Sequence, residues 1–418
     1  MPLRDPYQSK RFSVGSLEGG LHKWGMVLLS IYLLAGLFYT STLPSSTHFS
    51  DAAEYLKLSD NLVHGPGYSM DGVTLTASRP PGYAFFLSGI RVLGGGIYSF
   101  RVVQFLMLAA TIILVYRLCS VGRMFGGLLV VTTLVICYPI LFYISGTIYP
   151  QTLASFLFVL ALTFTLADSR GLPHNLVAGF FYGALILVVP PFLFTMVVTL
   201  LVAQVLKLIR WRDIALILLA ASLIVGAWTL RNANCFHRFV PIASNSGLNF
   251  LVGNNENAVV YEGAAAVSME PYYGVASTHH WNEFEEDHYY WGVALSYLQE
   301  HPWQAFLHYL VKTLNFFNVV NAYDPGNVQQ FSPWKQIVLA ASYSLLLGLL
   351  AWRLFEIKRF PLGTIEKLFL IVYVLSAFTS AIFLTRIRLR LPYDYLLIAV
   401  IALHLSRRLE MWLSADRS

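Results

Sequence analysis

Apolar residues in this chain fall in long unbroken runs parted by short polar links. The runs lie close to the roughly 20 residues that a helix needs to cross a bilayer. Continuous apolarity predicts helices, because barrel strands would alternate polar and apolar positions and lipid tolerates little else. The pattern predicts ten spans, near 24–43, 98–118, 125–144, 151–168, 174–190, 191–209, 213–230, 335–355, 363–384 and 391–407. Pro190-Pro191 interrupts one stretch, as a tight turn between two spans or a kink within one. The first run follows the basic residues Arg4, Lys10, Arg11 and Lys23. It is long enough for a retained span, and no small-x-small cleavage signal follows it.

Two segments break the rhythm, 44–97 and 231–334, and both are rich in aromatic residues. Within the first, 80–95 is apolar but short for a span and predicts a helix lying at the interface. Residues 302–320 predict another, with Trp303, Phe306, Leu310, Leu314 and Phe317 at helical spacing. The chain thus divides into a tail and first span (1–43), a first loop with surface helices (44–97), spans two to seven (98–230), a second surface segment (231–334), and three last spans with a tail (335–418).

Charge orients this layout. Only 12% of the residues are charged, against about 25% in a typical soluble domain. With the N-terminus inside, the inner links hold Arg117, Arg123, Arg170, Lys207, Arg210, Arg212, Arg353, Lys358, Arg359, Lys367, Arg407 and Arg408. Adding the four N-terminal cations and Arg417 places 17 of the 28 Lys and Arg inside, whereas 14 of the 22 acids fall outside. That asymmetry predicts an all-α polytopic membrane protein with both termini inside and the two long segments outside. The net charge of +6 is spread over span ends and forms no single patch, which argues against a nucleic-acid partner. Cys119, Cys137 and Cys235 match no metal or redox spacing and read as buried or idle thiols.

The first outside loop carries the candidate chemistry. In His48-Phe49-Ser50-Asp51-Ala52-Ala53-Glu54-Tyr55, a helix starting at Asp51 would align Asp51, Tyr55, Leu58 and Leu62 on one stripe. Asp51-x-x-Glu54 is also an ordinary helix start, with the aspartate as cap. A turn cluster, Gly65-Pro66-Gly67-Tyr68, and then Ser78-Arg79-Pro80-Pro81-Gly82-Tyr83 follow. Arg79 either meets an anionic group or anchors the short helix. The stretch from His279 to His288 gathers histidines and acids, and reads as a metal cluster or as the exposed face of a helix.

Taken together, Asp51 with Tyr55, Gly65-x-Gly67-Tyr68 and Arg79-Pro80-Pro81-Gly82-Tyr83 resemble the C-type glycosyltransferase superfamily. The similarity is nearest to bacterial relatives of the protein O-mannosyltransferases and of the lipid A aminoarabinose transferase. Further matches are Trp228-Thr229-Leu230-Arg231-Asn232, Ser246-Gly247-Leu248-Asn249-Phe250, Gly253-Asn254-Asn255, Glu300-His301-Pro302 before Lys312, and Arg386, Arg388 and Arg390 ahead of Leu391-Pro392 and Asp394. Two positions depart from the pattern: Gln151 stands where many relatives carry a glutamate, and Pro190 where many carry an arginine.

The resemblance implies transfer of a sugar from a polyprenyl-phosphate carrier to a lipid, glycan or protein acceptor at the outward face, in a bacterial inner membrane. It implies Asp51 as general base, its pKa raised by desolvation at the boundary. Glu54 and Tyr55 would orient the acceptor, Glu54 also serving as an acid. Arg231, Arg390, Arg388, Arg386, Lys312 and Arg79 would face the donor phosphate, since guanidinium forks suit phosphate. Asn254 and Asn255 would meet sugar hydroxyls or hold a turn. No cofactor is specified, although a divalent cation beside the carboxylates is compatible with the chemistry. Two rival readings stand beside this one. A lipid-linked sugar flippase predicts charges near mid-membrane. An oligosaccharide ligase or polymerase predicts a diphosphate carrier.

Overall fold

The computed structural model describes residues 6–45, 47, 50–119, 124–167, 171–260, 265–319 and 333–415. Arg4, Arg123, Arg170, Arg417, His48 and Phe49 lie outside them. Among the described residues the regular structure is helical, apart from an isolated antiparallel bridge between Ser69 and Leu75. Among the described residues, five helices are long and apolar enough to cross a membrane. They lie in α1 (Pro6–Thr42), α4 (Ile97–Cys119), α10 (Trp211–Phe236), α15 (Pro333–Phe355, with a 3-10 turn at Glu356–Lys358) and α16 (Thr364–Ala381).

Four of the expected spans are shorter as helices: α5 (Gly127–Ile136), α7 (Gln151–Thr165), α8 (Leu172–Val188) and α9 (Phe192–Val205). The predicted span 125–144 divides into α5 and α6 (Ile140–Ser145), with Pro139 at the break. Proline lacks the amide hydrogen a continuing helix would use and crowds the preceding turn. The same physics resolves Pro190-Pro191 as a break. Val189 is extended, and α9 restarts at Phe192.

The last predicted span lies within α17 (Ile387–Ala415), and every residue from Leu391 to Ala402 is buried. A helix apolar all round belongs inside a bundle, and α17 runs through the core beside α4, α5, α7, α15 and α16. The outer helices instead expose large apolar side chains such as Phe38, Leu223 and Ile337. Lipid, not water, suits that surface. Glycines allow the closest helix approach. Gly179 and Gly183 on α8 form a small-x-x-x-small pair against α10, and a Cβ on Gly179 would lie 2.5 Å from the Ile217 carbonyl oxygen.

The two long segments carry the remaining helices. α2 (Ser50–His64) packs on α3 (Pro81–Val92), the expected surface helix. Gly82 seats the start of α3 on the end of α8, with no room for a side chain beside Val188. The second segment holds α11 (Ser246–Val252), α12 (Ala265–His279), α13 (Glu283–Glu300) and α14 (Pro302–Asn315), with a small core of Phe250, Leu251, Met269, Ala276, Tyr290 and Ala294. As expected for an interfacial helix, α14 exposes Trp303, Phe306 and Leu314. The two segments are stitched together. Glu283 accepts from the Ala77 amide at 2.8 Å and from the Thr76 hydroxyl, and the Ser244 amide donates to the Ala77 carbonyl. This seam fixes the strand of chain that delivers Arg79.

Candidate active site

Asp51 lies in the first turn of α2, and its carboxylate is bound by side chains from distant parts of the chain. Arg79 Nη2 donates to Oδ1 at 2.8 Å, while Arg79 Nε donates to Glu54 Oε2 at 2.6 Å. The Tyr149 phenol, from the turn before α7, donates to Oδ2. Arg388, in the first turn of α17, donates to the Tyr149 oxygen at 2.5 Å and stays 3.9 Å from Asp51 Oδ2. The Asp51 side chain is 25% exposed, so the pair with Arg79 sits at an opening and keeps access to solvent. The side-chain partners argue for a site, where a plain cap would bond to backbone amides.

Electrostatics departs from the expectation for Asp51. Burial pushes its carboxyl up, but the Arg79 and Arg388 guanidiniums and the hydrogen bonds from Tyr149 and Arg79 outweigh burial. The group ends below the ordinary aspartate value. Arg79 moves the other way: burial pulls it down, and the two carboxylates hold it above its usual range. Asp51 is therefore an anion held by two cations, and its proton affinity is weakened by them.

A second group lies across the same surface. Lys312 on α14 is buried, and its Nζ donates to the Gly253 carbonyl at 2.9 Å, Asn254 Oδ1 at 2.9 Å and the Phe383 carbonyl at 3.1 Å. Burial pushes its ammonium down to about 7. Lys312 lines a small surface indentation, with Gly253, Thr385 and Arg386 as its polar wall and Val252, Val259, Val260 and Leu384 as its apolar wall. Gly253 is required there because a Cβ would lie 1.8 Å from the Phe383 carbonyl oxygen. Tyr273 of α12 lies within electrostatic range of Asp51, Arg79 and Arg386.

The three arginines expected to act together diverge. Arg386 precedes α17 and faces the Lys312 cleft, whereas Arg388 reaches the Asp51 group. Arg390 turns into the core. Successive helical residues are about 100° apart, so positions two apart point to nearly opposite sides. Arg390 is 1% exposed and donates to Asp394 at 3.2 Å and to the Phe316 and Asn318 carbonyls at 2.8 and 2.9 Å. Tyr138 and Tyr373 also donate to Asp394, and the Arg390 guanidinium stacks 3.4 Å from the Tyr343 ring centroid. That geometry is a buried brace, and the expected phosphate contact of Arg390 gives way to it. The brace also puts charge inside the last span, where few charges were anticipated.

Arg231 likewise serves the scaffold. Its guanidinium donates to the Thr76 carbonyl at 2.9 Å and lies 4.7 Å from the Trp228 ring centroid, so it secures the first loop away from Asp51. Tyr55 is buried edge-on against Tyr83, which departs from an acceptor-orienting role. Asn254 and Asn255 spend their amide groups on the Phe250, Ile382 and Leu251 carbonyls, the turn-holding alternative of the two expected. In the stretch from His279 to His288, Asn282 and Glu285 cap α13, Glu283 holds Thr76 and Ala77, and Asp287 holds Ser246 and Gly247. No group of three or more histidine, cysteine or acidic side chains converges among the described residues.

Gln151 is buried at the start of α7, and its Oε1 has no hydrogen-bond partner among the described residues. Its neighbour Tyr149 is the site residue that sequence reasoning missed. The one available signal was a tyrosine-proline pair at the predicted outer end of a span.

No protein-family profile matches the chain, and no curated protein sequence matches it. Two solved structures are similar in overall course. ArnT from Cupriavidus metallidurans bound to undecaprenyl phosphate superposes with a TM-score of 0.47 at 12% identity, over 90% of this chain and 77% of that one. The apo state of ArnT from the same organism gives 0.41 at 12% identity, over 91% and 78%. Chemistry has to come from the site itself.

Proposed function

We propose that this protein is a membrane glycosyltransferase that moves a sugar from a polyprenyl-phosphate carrier to a hydroxyl or amine acceptor at its outward face. The observation that carries the reading is the meeting of Asp51 with Arg79 and Arg388, beside a cleft walled by Lys312 and Arg386. Such a reaction needs a carboxylate for the acceptor proton and cations for the departing phosphate. Both are present: the carboxylate at Asp51, and the cations at Arg388, Arg386 and Lys312, with Tyr273 in electrostatic range of Asp51 and Arg386.

In this reading the acceptor oxygen or nitrogen attacks the anomeric carbon, the bond from that carbon to the phosphate oxygen breaks, and the carrier leaves as polyprenyl phosphate. Asp51 takes the acceptor proton. Its weakened proton affinity is compatible with that role when the transition state is oxocarbenium-like. Bond formation then makes the acceptor proton acidic before it moves. Arg388, Arg386 and Lys312 balance the charge growing on the phosphate. Arg79 holds Asp51 and Glu54 apart from that anion. The buried Arg390–Asp394 pair is a feature that favours a transporter, since it places charge within a span. Its full set of partners fits a fixed brace better than a moving gate.

The test is turnover by the purified full-length protein in lipid nanodiscs, with a panel of polyprenyl-phosphate monosaccharides and mixed lipid and glycan acceptors. Asp51→Asn is expected to fold, to bind donor, and to lose at least about a hundredfold in turnover. Near-normal turnover in Asp51→Asn removes Asp51 as base. Turnover only with diphosphate-linked oligosaccharides replaces the reading with a ligase or polymerase. Donor movement across the bilayer without sugar transfer replaces it with a flippase.

A further inference from the structure

We propose that Tyr149 is the positioning residue of this site, its phenol bridging Asp51 and Arg388 so that the carboxylate is held in one orientation and the guanidinium is kept beside it without closing on it. The inference rests on the reading of Asp51 as the reacting carboxylate. Three observations support it. The phenol donates to Asp51 Oδ2 and accepts from Arg388 Nη1 at 2.5 Å, and Arg388 remains 3.9 Å from that oxygen. The ring lies 5.0 Å from the Arg388 guanidinium carbon, so its face as well as its oxygen sets the position of the cation. The mount is stiff: the Gln104 amide donates to the Ser145 and Thr147 carbonyls at 3.0 and 2.6 Å, and Gln104 accepts from Tyr83 of α3 at 2.8 Å. Pro150 further restricts the backbone at Tyr149.

The consequence for Asp51 is geometric. Arg79 occupies one carboxylate oxygen and Tyr149 the other, so the plane of the group is set from two sides. Each carboxylate oxygen has a second lone pair with which a proton can be taken. Tyr149 keeps its own proton, which it donates to Asp51 while its oxygen accepts from Arg388. Burial raises its phenol well above the ordinary value, Arg388 lowers it, and the Asp51 charge raises it further. The charged and titratable groups facing Asp51 are Glu54 and Tyr55 on α2, Arg79 before α3, Tyr149 before α7, Tyr273 on α12 and Arg388 on α17. Tyr149 and Arg388 are linked through one oxygen, so a change at either is felt at the carboxylate.

The experiment is an infrared pH titration of the full-length protein in nanodiscs, reading the protonated-carboxyl band that disappears in Asp51→Asn. Tyr149→Phe keeps the ring and removes the hydrogen bond that favours the anion. The titration midpoint of Asp51 is expected to rise by about one pH unit. Should that variant fail to fold, Arg388→Gln removes the cation from the same bridge, and the midpoint is again expected to rise. In turnover assays with the wild-type donor, Tyr149→Phe is expected to lower kcat at least roughly tenfold, with the acid limb of the pH profile displaced upward. An unmoved midpoint in the folded variant overturns the inference, whatever the activity. A raised midpoint in a protein whose wild type transfers no sugar upholds the bridge and overturns the glycosyltransferase reading instead.

Discussion

Replacing Lys312 with methionine should make the pH dependence of stability flatter, and the structure sets the size of the effect. Lys312 is 1% exposed, and burial brings its ammonium from 10.5 down to about 7. A shift of 3.5 units corresponds to a penalty on the order of 5 kcal/mol for the charged form in the folded protein. Below pH 7 both folded and unfolded states hold the proton, and the full penalty is present. Between about pH 7 and 10.5 the unfolded state binds more protons than the folded state, so stability rises with pH there.

From pH 6 to pH 9 the wild type should gain about 2–3 kcal/mol relative to Lys312→Met. The variant also strands the Gly253, Asn254 and Phe383 oxygens, but that loss is the same at every pH. Unfolding of both proteins in one detergent, at half-unit steps from pH 6 to 9, measures the difference. A difference that stays flat refutes the reasoning, because it would mean that Lys312 does not change charge in this window. A linked measurement follows from the proposed cleft. A phosphate beside Lys312 restores the ammonium, so decaprenyl phosphate binding at pH 8 should take up close to one proton, read by calorimetry in buffers of different ionisation enthalpy.

Two further outcomes test the scaffold. Arg390→Met leaves Asp394 buried without its cation and should destabilise the protein by roughly 3–5 kcal/mol, whereas the double variant Arg390→Met/Asp394→Leu should lose less than the two single losses combined; strictly additive losses in thermal unfolding would argue against a coupled pair. Gly179→Leu should cost at least about 1–3 kcal/mol by forcing α8 from α10, while Gly226→Ala, which meets nothing within 4 Å, should be tolerated; equal melting of the two variants contradicts the close packing.

The sequence by itself determined the long helices and the break at Pro190-Pro191. Hydropathy reports whether a segment faces lipid, core or water, and proline acts on its own turn, so α1, α4, α10, α15 and α16 and the interruption at Pro190-Pro191 reflect local physics, whereas the break at Pro139 falls inside what hydropathy alone read as one span. The short surface helices α3 and α14 were legible for the same reason. The expectation of an acidic carboxyl made more basic by burial failed at Asp51 because local sequence does not reveal which cations arrive from elsewhere. Tyr149 and Arg388 come to it across the bundle, and the hydrogen bond joining them spans 239 positions. The divergence of Arg386, Arg388 and Arg390 had a subtler cause. The apolar run begins at Leu391, but α17 begins at Ile387, so Arg388 and Arg390 enter a helix that hydropathy alone does not see, with Arg386 just before it. Only the tertiary structure decided that Arg388 serves the first loop, Arg386 the cleft and Arg390 the core, because rotation about the helix axis and the packing of α17 among its neighbours set where each side chain ends.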